Sequence, residues 1–381
     1  MGGGSGGHIT PLLSLAHELK KIEPTTEVVY IGWRGDHGKD LSRRYRIFDR
    51  VHLIPAGKYR RYHGQSLINK ITDFRTMALN IRDFFRVLAG TIVSYRLLGQ
   101  IKPSVVFSKG SFVAVPVGIT ARLKKIPIIT HDSDSVPGLA NRIIGRWATL
   151  HAVGQAKGAY SYDKDKTHYV GVPVDERIKP VSVSLQRDYK RRLGIPIRAQ
   201  LLLIVGGGLG AQSINRKVAA IMPRLLTYYP NLYVIHFSGS GHEEAVKESY
   251  RLDAADNKRL NVIGFSNEFH IYSGAADLII SRAGATAVAE FAIAGKALLL
   301  VPASHLAGGH QIANAKEIVK NDAAAMLGDE ASANEYYRTV SELLDDQTKR
   351  QALASNLGRL AKPRVSQQLA RLILDTAKSG G

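Results

Sequence analysis

Two glycine-rich runs are the first residues able to do chemistry. Gly2-Gly3-Gly4-Ser5-Gly6-Gly7-His8 leads straight into a helical pattern. Gly206-Gly207-Gly208-Leu209-Gly210-Ala211 joins a short apolar run to another such pattern. Glycine lets backbone approach an anionic group closely, and a helix N-terminus offers free N–H donors and the positive end of its dipole. Either run alone fits a tight strand-to-helix turn equally well. Two at equivalent places in two similar halves point to a phosphate-bearing ligand. No Lys-Ser/Thr pair follows either run, so neither is a P-loop, and the dinucleotide fingerprint fits poorly. Further along, Ser281-Arg282-Ala283-Gly284-Ala285-Thr286 enters a third helical pattern that carries Glu290 among Ala, Val and Phe. A carboxylate there can accept both hydroxyls of a ribose; the other reading is a Glu paired with a nearby cation. His310, Gln311 and Asn314 cluster at a fourth helix start. Their donors suit sugar hydroxyls, or else they cap and solvate that helix.

These groups need a frame. Glu27–Ile31, Ser104–Phe107 and Ile126–Ile129 are short, β-branched and bounded by turn residues, as buried strands are. Helical patterns at Pro11–Lys21 and Phe112–Leu123 lie between them. The rhythm restarts with strands at Leu201–Val205, Tyr233–Phe237, Asp277–Ile280 and Ala297–Val301, and helices at Ile214–Leu226, Ala285–Ala294 and Gln311–Lys320. Strand, helix, strand in that order predicts α/β architecture: two doubly wound, Rossmann-like parallel-sheet domains in tandem. The expected divisions are 1–171, 172–361 and a C-terminal helix, 362–381, packing back on the first domain. Residues 171–199 show no clear periodicity. In open parallel sheets ligands lie beyond the carboxyl ends of the strands, where the glycine loops fall, so two facing domains would share one cleft.

Across 381 residues there is no cysteine, which excludes disulfides, thiolate catalysis and Cys-ligated zinc. No apolar run approaches the ~20 residues of a membrane span. The glycine-rich start lacks a signal peptide's apolar core, so a cytosolic location is expected. Lys and Arg number 52 against 32 Asp and Glu, a formal charge of +20, which implies polyanionic company. The basic residues are densest from Lys58 to Arg96, where Arg60, Arg61 and their neighbours alternate with Ile68, Ile71, Phe74, Leu79, Phe84, Phe85 and Leu88. At helical spacing these apolar residues either fill a core or form a patch ringed by cations that docks on anionic lipid. A nucleic-acid protein would interleave aromatic stacking platforms with its basic residues, and none appears outside 59–62, so no nucleic acid partner is expected.

GGGSGGH, SKGSF, VPGLANR, GGGLGA…IN, SRAGATAVAE and HQIANA, in that order over nearly the whole chain, resemble the bacterial UDP-N-acetylglucosamine:lipid I N-acetylglucosaminyltransferases, the MurG family. The resemblance implies a GT-B fold. It implies transfer of GlcNAc from UDP-GlcNAc, with inversion, to the MurNAc 4-hydroxyl of lipid I, giving lipid II. It implies neither metal nor cofactor, and a place at the cytoplasmic face of the plasma membrane against anionic lipid. His8 falls at the position proposed as general base. Ser5, Gly6 and Gly7 would approach the acceptor diphosphate. On the donor side Glu290 would hold the ribose, His310 and Gln311 the sugar hydroxyls, with Asn314 in support. Phe265 and the Ser266 backbone would read the uracil; Gly208, Ala285 and Thr286 would lie along the donor diphosphate.

The chain departs from the family pattern in places. His131-Asp132-Ser133-Asp134 stands for the usual HEQN, so Asp134 replaces an acceptor-side amide. Gly171-Val172-Pro173-Val174-Asp175 stands for GNPVR, leaving Arg177 as the candidate phosphate-facing cation. Gly208 stands where Ser is frequent, and Ser111 and Phe112 where Gly and Tyr are usual. Met1 directly precedes the glycine loop, where the family has its first strand. The expectation is a sheet lacking that strand and a start assigned too late. Other GT-B enzymes that use UDP-sugars, a glycolipid glycosyltransferase or a UDP-GlcNAc 2-epimerase, remain the alternative.

Overall fold

A computed structural model describes residues 1–2, 6–34, 46–59, 73–156, 160–208, 210–304 and 309–379, with backbone alone for 6–8. The expectations on Ser5, Arg60, Arg61, Ile68 and Ile71 lie outside the described residues. The chain divides into two compact units, Met1–Asp175 with Arg364–Gly381, and Glu176–Pro363.

In the first unit α1 (Gly6–Ile22) precedes β1 (Val29–Trp33) and β2 (Arg50–Ile54), which pair in parallel. After α2 (Phe74–Ile101) come β3 (Val106–Ser108), α3 (Ala114–Leu123), β4 (Ile128–Asp132), α4 (Leu139–Ile144), β5 (Leu150–Val153) and β6 (Thr167–Tyr169). Strands β3 to β6 form a parallel four-stranded sheet in sequence order. Among the described residues no strand precedes α1. Met1 nevertheless lies against β3: its amine donates to Phe107 O (2.8 Å) and its carbonyl accepts from Lys109 N (3.1 Å). Tyr30 Oη on β1 donates to Gly2 O (2.9 Å). Burial pushes the Met1 amine down to about 5. Met1, Ile31, Ile54, Val106 and Ile128 share one apolar cluster, so both sheets of this unit cover a common core. On the other face Ile129 and Ala152 pack with Leu15 and Leu19 of α1, and with Leu369 and Ile373 of the last helix, α14 (Val365–Ser379).

The second unit opens with α5 (Val183–Arg192), inside the stretch without periodicity. This short polar helix, N-capped by Ser182, seats Tyr189 in the core with Leu185 and Leu193 beside it, and tertiary hydrogen bonds add to that anchor. Lys190 Nζ donates to Asp277 Oδ2 and Ala199 O, both at 2.7 Å, and Gln186 Nε2 reaches Asp277 Oδ1 (3.0 Å). Then follow β7 (Gln200–Val205), α6 (Gln212–Tyr228), β8 (Leu232–Phe237), α7 (Glu243–Ser249), α8 (Ala254–Asn257) and β9 (Leu260–Ile263). Next are α9 (Phe269–Ala275), β10 (Leu278–Ser281), α10 (Ala285–Ala294), β11 (Leu298–Leu300), α11 (His310–Lys320), β12 (Ala325–Met326), α12 (Ala333–Asp345) and α13 (Gln347–Leu360). The sheet is parallel throughout, in the order β12-β11-β10-β7-β8-β9. Leu202 and Ile204 join the core on one face, Leu201, Leu203 and Val205 the core on the other. Covered on both faces, such strands are apolar at every position, which is why they stand out in the sequence.

Helix α2 settles the direction of the basic, apolar stretch. Its buried residues are Asp83, Gly90, Ser94, Leu97 and Leu98. A side chain at Gly90 would meet Pro55 O at 2.1 Å, so the helix seats through a small residue. Phe74, Met77, Ile81, Phe84, Phe85, Leu88 and Ile92, at three- and four-residue spacing, are exposed, while Leu79 is half-buried. No helix is long and apolar enough to cross a membrane among the described residues.

Candidate active site

In the second unit all strands run the same way, so the loops after β7, β9, β10 and β11 emerge along one edge of the sheet. The chain leaves the centre in one direction through β7, β8 and β9 and in the other through β10, β11 and β12. Ligands of doubly wound sheets sit at that reversal. Gly208, Phe265, Ser266, Ala285, Thr286, Glu290, His310 and Gln311 all lie on those loops or on the first turns of the helices they enter.

The glycine loop after β7 is shaped by its neighbours. Gly207 and Gly210 have φ of +90° and +76°. A Cβ on Gly210 would meet Ser238 O at 2.1 Å, whereas one on Gly208 would meet nothing within 4 Å. Gly208 therefore leaves room where the family frequently carries Ser. Asn215 of α6 braces the same corner, donating to Ser238 O (3.3 Å) and meeting His236 Nε2 (3.0 Å), whose Nδ1 meets Tyr250 Oη (2.5 Å). The N-cap residues of α6 and α10, Ala211 and Gly284, make no side-chain capping bond, and a helix start of that kind can present backbone donors to an anion.

Arg282 is a strut of this site. It is 9% exposed and donates to Asp329 Oδ1 (2.7 Å), Val301 O (2.9 Å) and Ser213 Oγ (2.6 Å). Burial alone would raise the Asp329 carboxyl; the bonds from Ser213 and Arg282 outweigh it and hold the pKa below the usual value. The end of β10, the start of α6 and the loop beyond β12 are thereby fixed together. Asn314, 2% exposed, donates to Ala283 O (3.1 Å) and ties α11 to the loop before α10. Gln311 Oε1 accepts from Ala303 N (3.0 Å), which orients its amide nitrogen. Glu290 and His310 are half-buried on the first turns of α10 and α11. The Phe265 ring, 56% exposed, follows β9, and Ser266 Oγ accepts from Glu268 N (3.0 Å) in a tight turn.

In the first unit Gly6, Gly7 and His8 form the first turn of α1; their side chains, like all of Ser5, lie outside the described residues. Asp134 follows β4, half-buried, its carbonyl accepting from Tyr160 Oη (2.9 Å). Around it lies a polar cluster that sequence reasoning missed. Asp132 accepts from Asn141 Nδ2 (3.0 Å), Gly138 N (3.2 Å) and Tyr162 Oη (2.8 Å). Lys109 Nζ donates to Ser133 Oγ. Burial lowers the Lys109 amine to about 8 against the pull of Asp134 and Asp132. A lysine in SKGSF was the one available signal. Ser111, 5% exposed, is structural, its Oγ accepting from Val113 N (3.3 Å). Phe112 packs edge-on against Trp33. Arg177 is exposed at the start of the second unit, two residues beyond Asp175.

Comparison with known proteins identifies the family and the fold. The glycosyltransferase family 28 N-terminal domain matches residues 1–153 and the family 28 C-terminal domain residues 201–369. The chain is similar to a Bacillus anthracis protein named UDP-N-acetylglucosamine–N-acetylmuramyl-(pentapeptide) pyrophosphoryl-undecaprenol N-acetylglucosamine transferase 2, 33% identical over 90% of each chain. A Listeria welshimeri transferase of the same name is 29% identical over 99% of this chain and 98% of its own. Among solved structures, Acinetobacter baumannii MurG superposes with a TM-score of 0.72 at 24% identity, covering 98% of this chain and 97% of that one. Neisseria meningitidis UDP-GlcNAc 2-epimerase bound to UDP-GlcNAc gives 0.62 at 14% identity over 96% of each chain. These last two likenesses establish the two-domain GT-B fold.

Proposed function

We propose a reaction for this chain from the premise that it belongs to glycosyltransferase family 28, among the UDP-N-acetylglucosamine–N-acetylmuramyl-(pentapeptide) pyrophosphoryl-undecaprenol N-acetylglucosamine transferases. It transfers GlcNAc from UDP-GlcNAc to the 4-hydroxyl of MurNAc in lipid I, forming lipid II for peptidoglycan. The acceptor oxygen attacks the anomeric carbon as the bond to the UDP oxygen breaks, with inversion. The hydroxyl proton goes to a base, and the developing charge on UDP is met by backbone donors. The second unit binds the donor and the first takes the acceptor. His8 is the base. The observation that most supports the reading is the single sheet edge carrying an uncapped glycine-loop helix, Glu290, and a pre-oriented Gln311 amide. Phosphate, ribose and sugar each find their chemistry there. Incubating the protein with radiolabelled UDP-GlcNAc and a short-chain lipid I should yield labelled lipid II. Release of free sugar alone, or epimerised UDP-sugar, would instead indicate a hydrolase or the 2-epimerase.

The exposed stripe of α2 supports a second element of the reading, peripheral attachment to an anionic membrane at its cytoplasmic face. Phe74, Met77, Ile81, Phe84, Phe85, Leu88 and Ile92 stand in solvent beside exposed Arg75, Arg82, Arg86 and Arg96. Lys124 stacks on Tyr95 at the same end (3.8 Å). Each cation near such a surface contributes roughly 1 kcal/mol. A lipid-linked acceptor requires that proximity.

A further inference from the structure

Lys109 is 4% exposed, and lysine is rarely buried without a partner that holds its charge. It closes the carboxyl end of β3, where its backbone N–H binds Met1 O, next to the point from which the first glycine loop departs. Its Nζ donates to Ser133 Oγ, and the charges favouring its ammonium are Asp134 and then Asp132. Asp132 is already committed to Asn141, Gly138 and Tyr162. Asp134 is half-buried and held in place by the Tyr160 bond to its carbonyl. It also stands where the resembled family carries an amide, a position that the acceptor reading puts near a substrate with two phosphates. An uncompensated carboxylate there would repel that substrate, most strongly where water is scarce.

We propose that Lys109 is a positioning residue of the acceptor site: its ammonium is the counter-charge that allows Asp134 to stand beside an anionic diphosphate. The pair is electrically equivalent to a neutral amide beside a neutral side chain. This rests on the reading that the first unit takes the lipid-linked acceptor.

Steady-state kinetics with a short-chain lipid I test it in Lys109→Met, Asp134→Asn and the double variant. Lys109→Met should raise the acceptor KM tenfold or more, and added salt should shrink that effect. Asp134→Asn should lower the acceptor KM, because it leaves a net positive charge. The double variant, neutral at both positions, should return to within about threefold of the wild-type KM. The Kd of UDP-GlcNAc should stay within twofold throughout. A merely structural role would raise KM or abolish turnover in both single variants. That outcome, or a double variant whose effect is the product of the singles, overturns the pairing. Should Lys109→Met fail to fold by thermal melting, Asp134→Asn alone decides: an unchanged or raised acceptor KM refutes the proposal. Absence of lipid II from the wild type would refute the reaction itself, whereas independent effects in an active enzyme refute only the pair.

Discussion

At the scale of residues, donor recognition separates into parts that two substitutions distinguish. Glu290 lies on the first turns of α10, where a carboxylate can accept from a ribose diol. Glu290→Ala should therefore weaken UDP and UDP-GlcNAc alike, by about tenfold, the worth of a charge-assisted hydrogen bond. The Gln311 amide, fixed by Ala303 N, is assigned to the sugar. Gln311→Ala should weaken UDP-GlcNAc and leave UDP nearly unchanged. Calorimetry showing equal loss of UDP in both variants would remove Gln311 from the sugar. The base is tested separately. His8→Ala should lower kcat by ~10²–10⁴ with donor affinity unchanged, since the donor groups belong to the other unit. If turnover held while Asp134→Asn abolished it, the proton would pass to Asp134. The turn at Gly206–Ala211 and the places of Glu290, His310 and Gln311 near helix starts were legible because each is a local pattern; the roles given to them are the proposal. The pairing of Arg282 with Asp329, and of Lys109 with Ser133, was not legible: 47 and 24 residues separate the partners, and the motifs that hold Lys109 and Arg282 do not say what each will meet.

At the scale of elements, α2 shows how periodicity underdetermines burial. The spacing of Phe74, Met77, Ile81, Phe84 and Leu88 defines an apolar stripe equally suited to a core or to a lipid surface. Close approach of the backbone around Pro55 to Gly90 requires the small residues to face inward, and the large ones are left outside. Replacing Phe84 and Phe85, 60% and 63% exposed, by Ser should scarcely change the melting temperature. It should reduce co-sedimentation with phosphatidylglycerol vesicles several-fold. Arg75→Glu with Arg96→Glu should do the same at low salt and lose its effect near 0.5 M, as screening shortens the reach of exposed charges. Unchanged vesicle binding in the folded Phe variant would remove the membrane role of the stripe.

At the scale of the whole molecule, both units bury neutral histidines in their sheets, His131 and His151 in the first and His236 in the second. Burial lowers His236 and His151 to about 4 from 6.5. Between those values the unfolded chain binds a proton that the folded one refuses. Stability is therefore intact above pH 6.5 and lost as pH falls towards 4, by roughly 2 kcal/mol per histidine at pH 5. Urea midpoints should drop between pH 7.5 and 5.0, and His236→Gln should flatten the drop for the second unit. Equal midpoints at the two pH values would show that these rings do not govern acid stability. With a formal charge of +20, self-repulsion at low pH adds to the same trend.

The sequence by itself determined β1, β3, β4, β7, β8, β10 and β11 and the glycine turn between β7 and α6, while β2, β5, β6, β9 and β12 escaped it. It determined, through motif order, the family. All of these are short-range facts: both-face burial makes an uninterrupted apolar run, and a turn with positive φ needs glycine within a few residues. Tertiary structure alone decided which way α2 faces and which helix the aperiodic stretch 171–199 contains. It also decided which buried ions find partners. Helix α5 is anchored by Tyr189 in the core and by Lys190 and Gln186, which reach Asp277, 87 and 91 residues away. Lys109 sits inside where the end of a second strand brings Ser133, flanked by Asp132 and Asp134, to its ammonium. Burying a charge depends on what surrounds it in space, and chain separation carries no record of that.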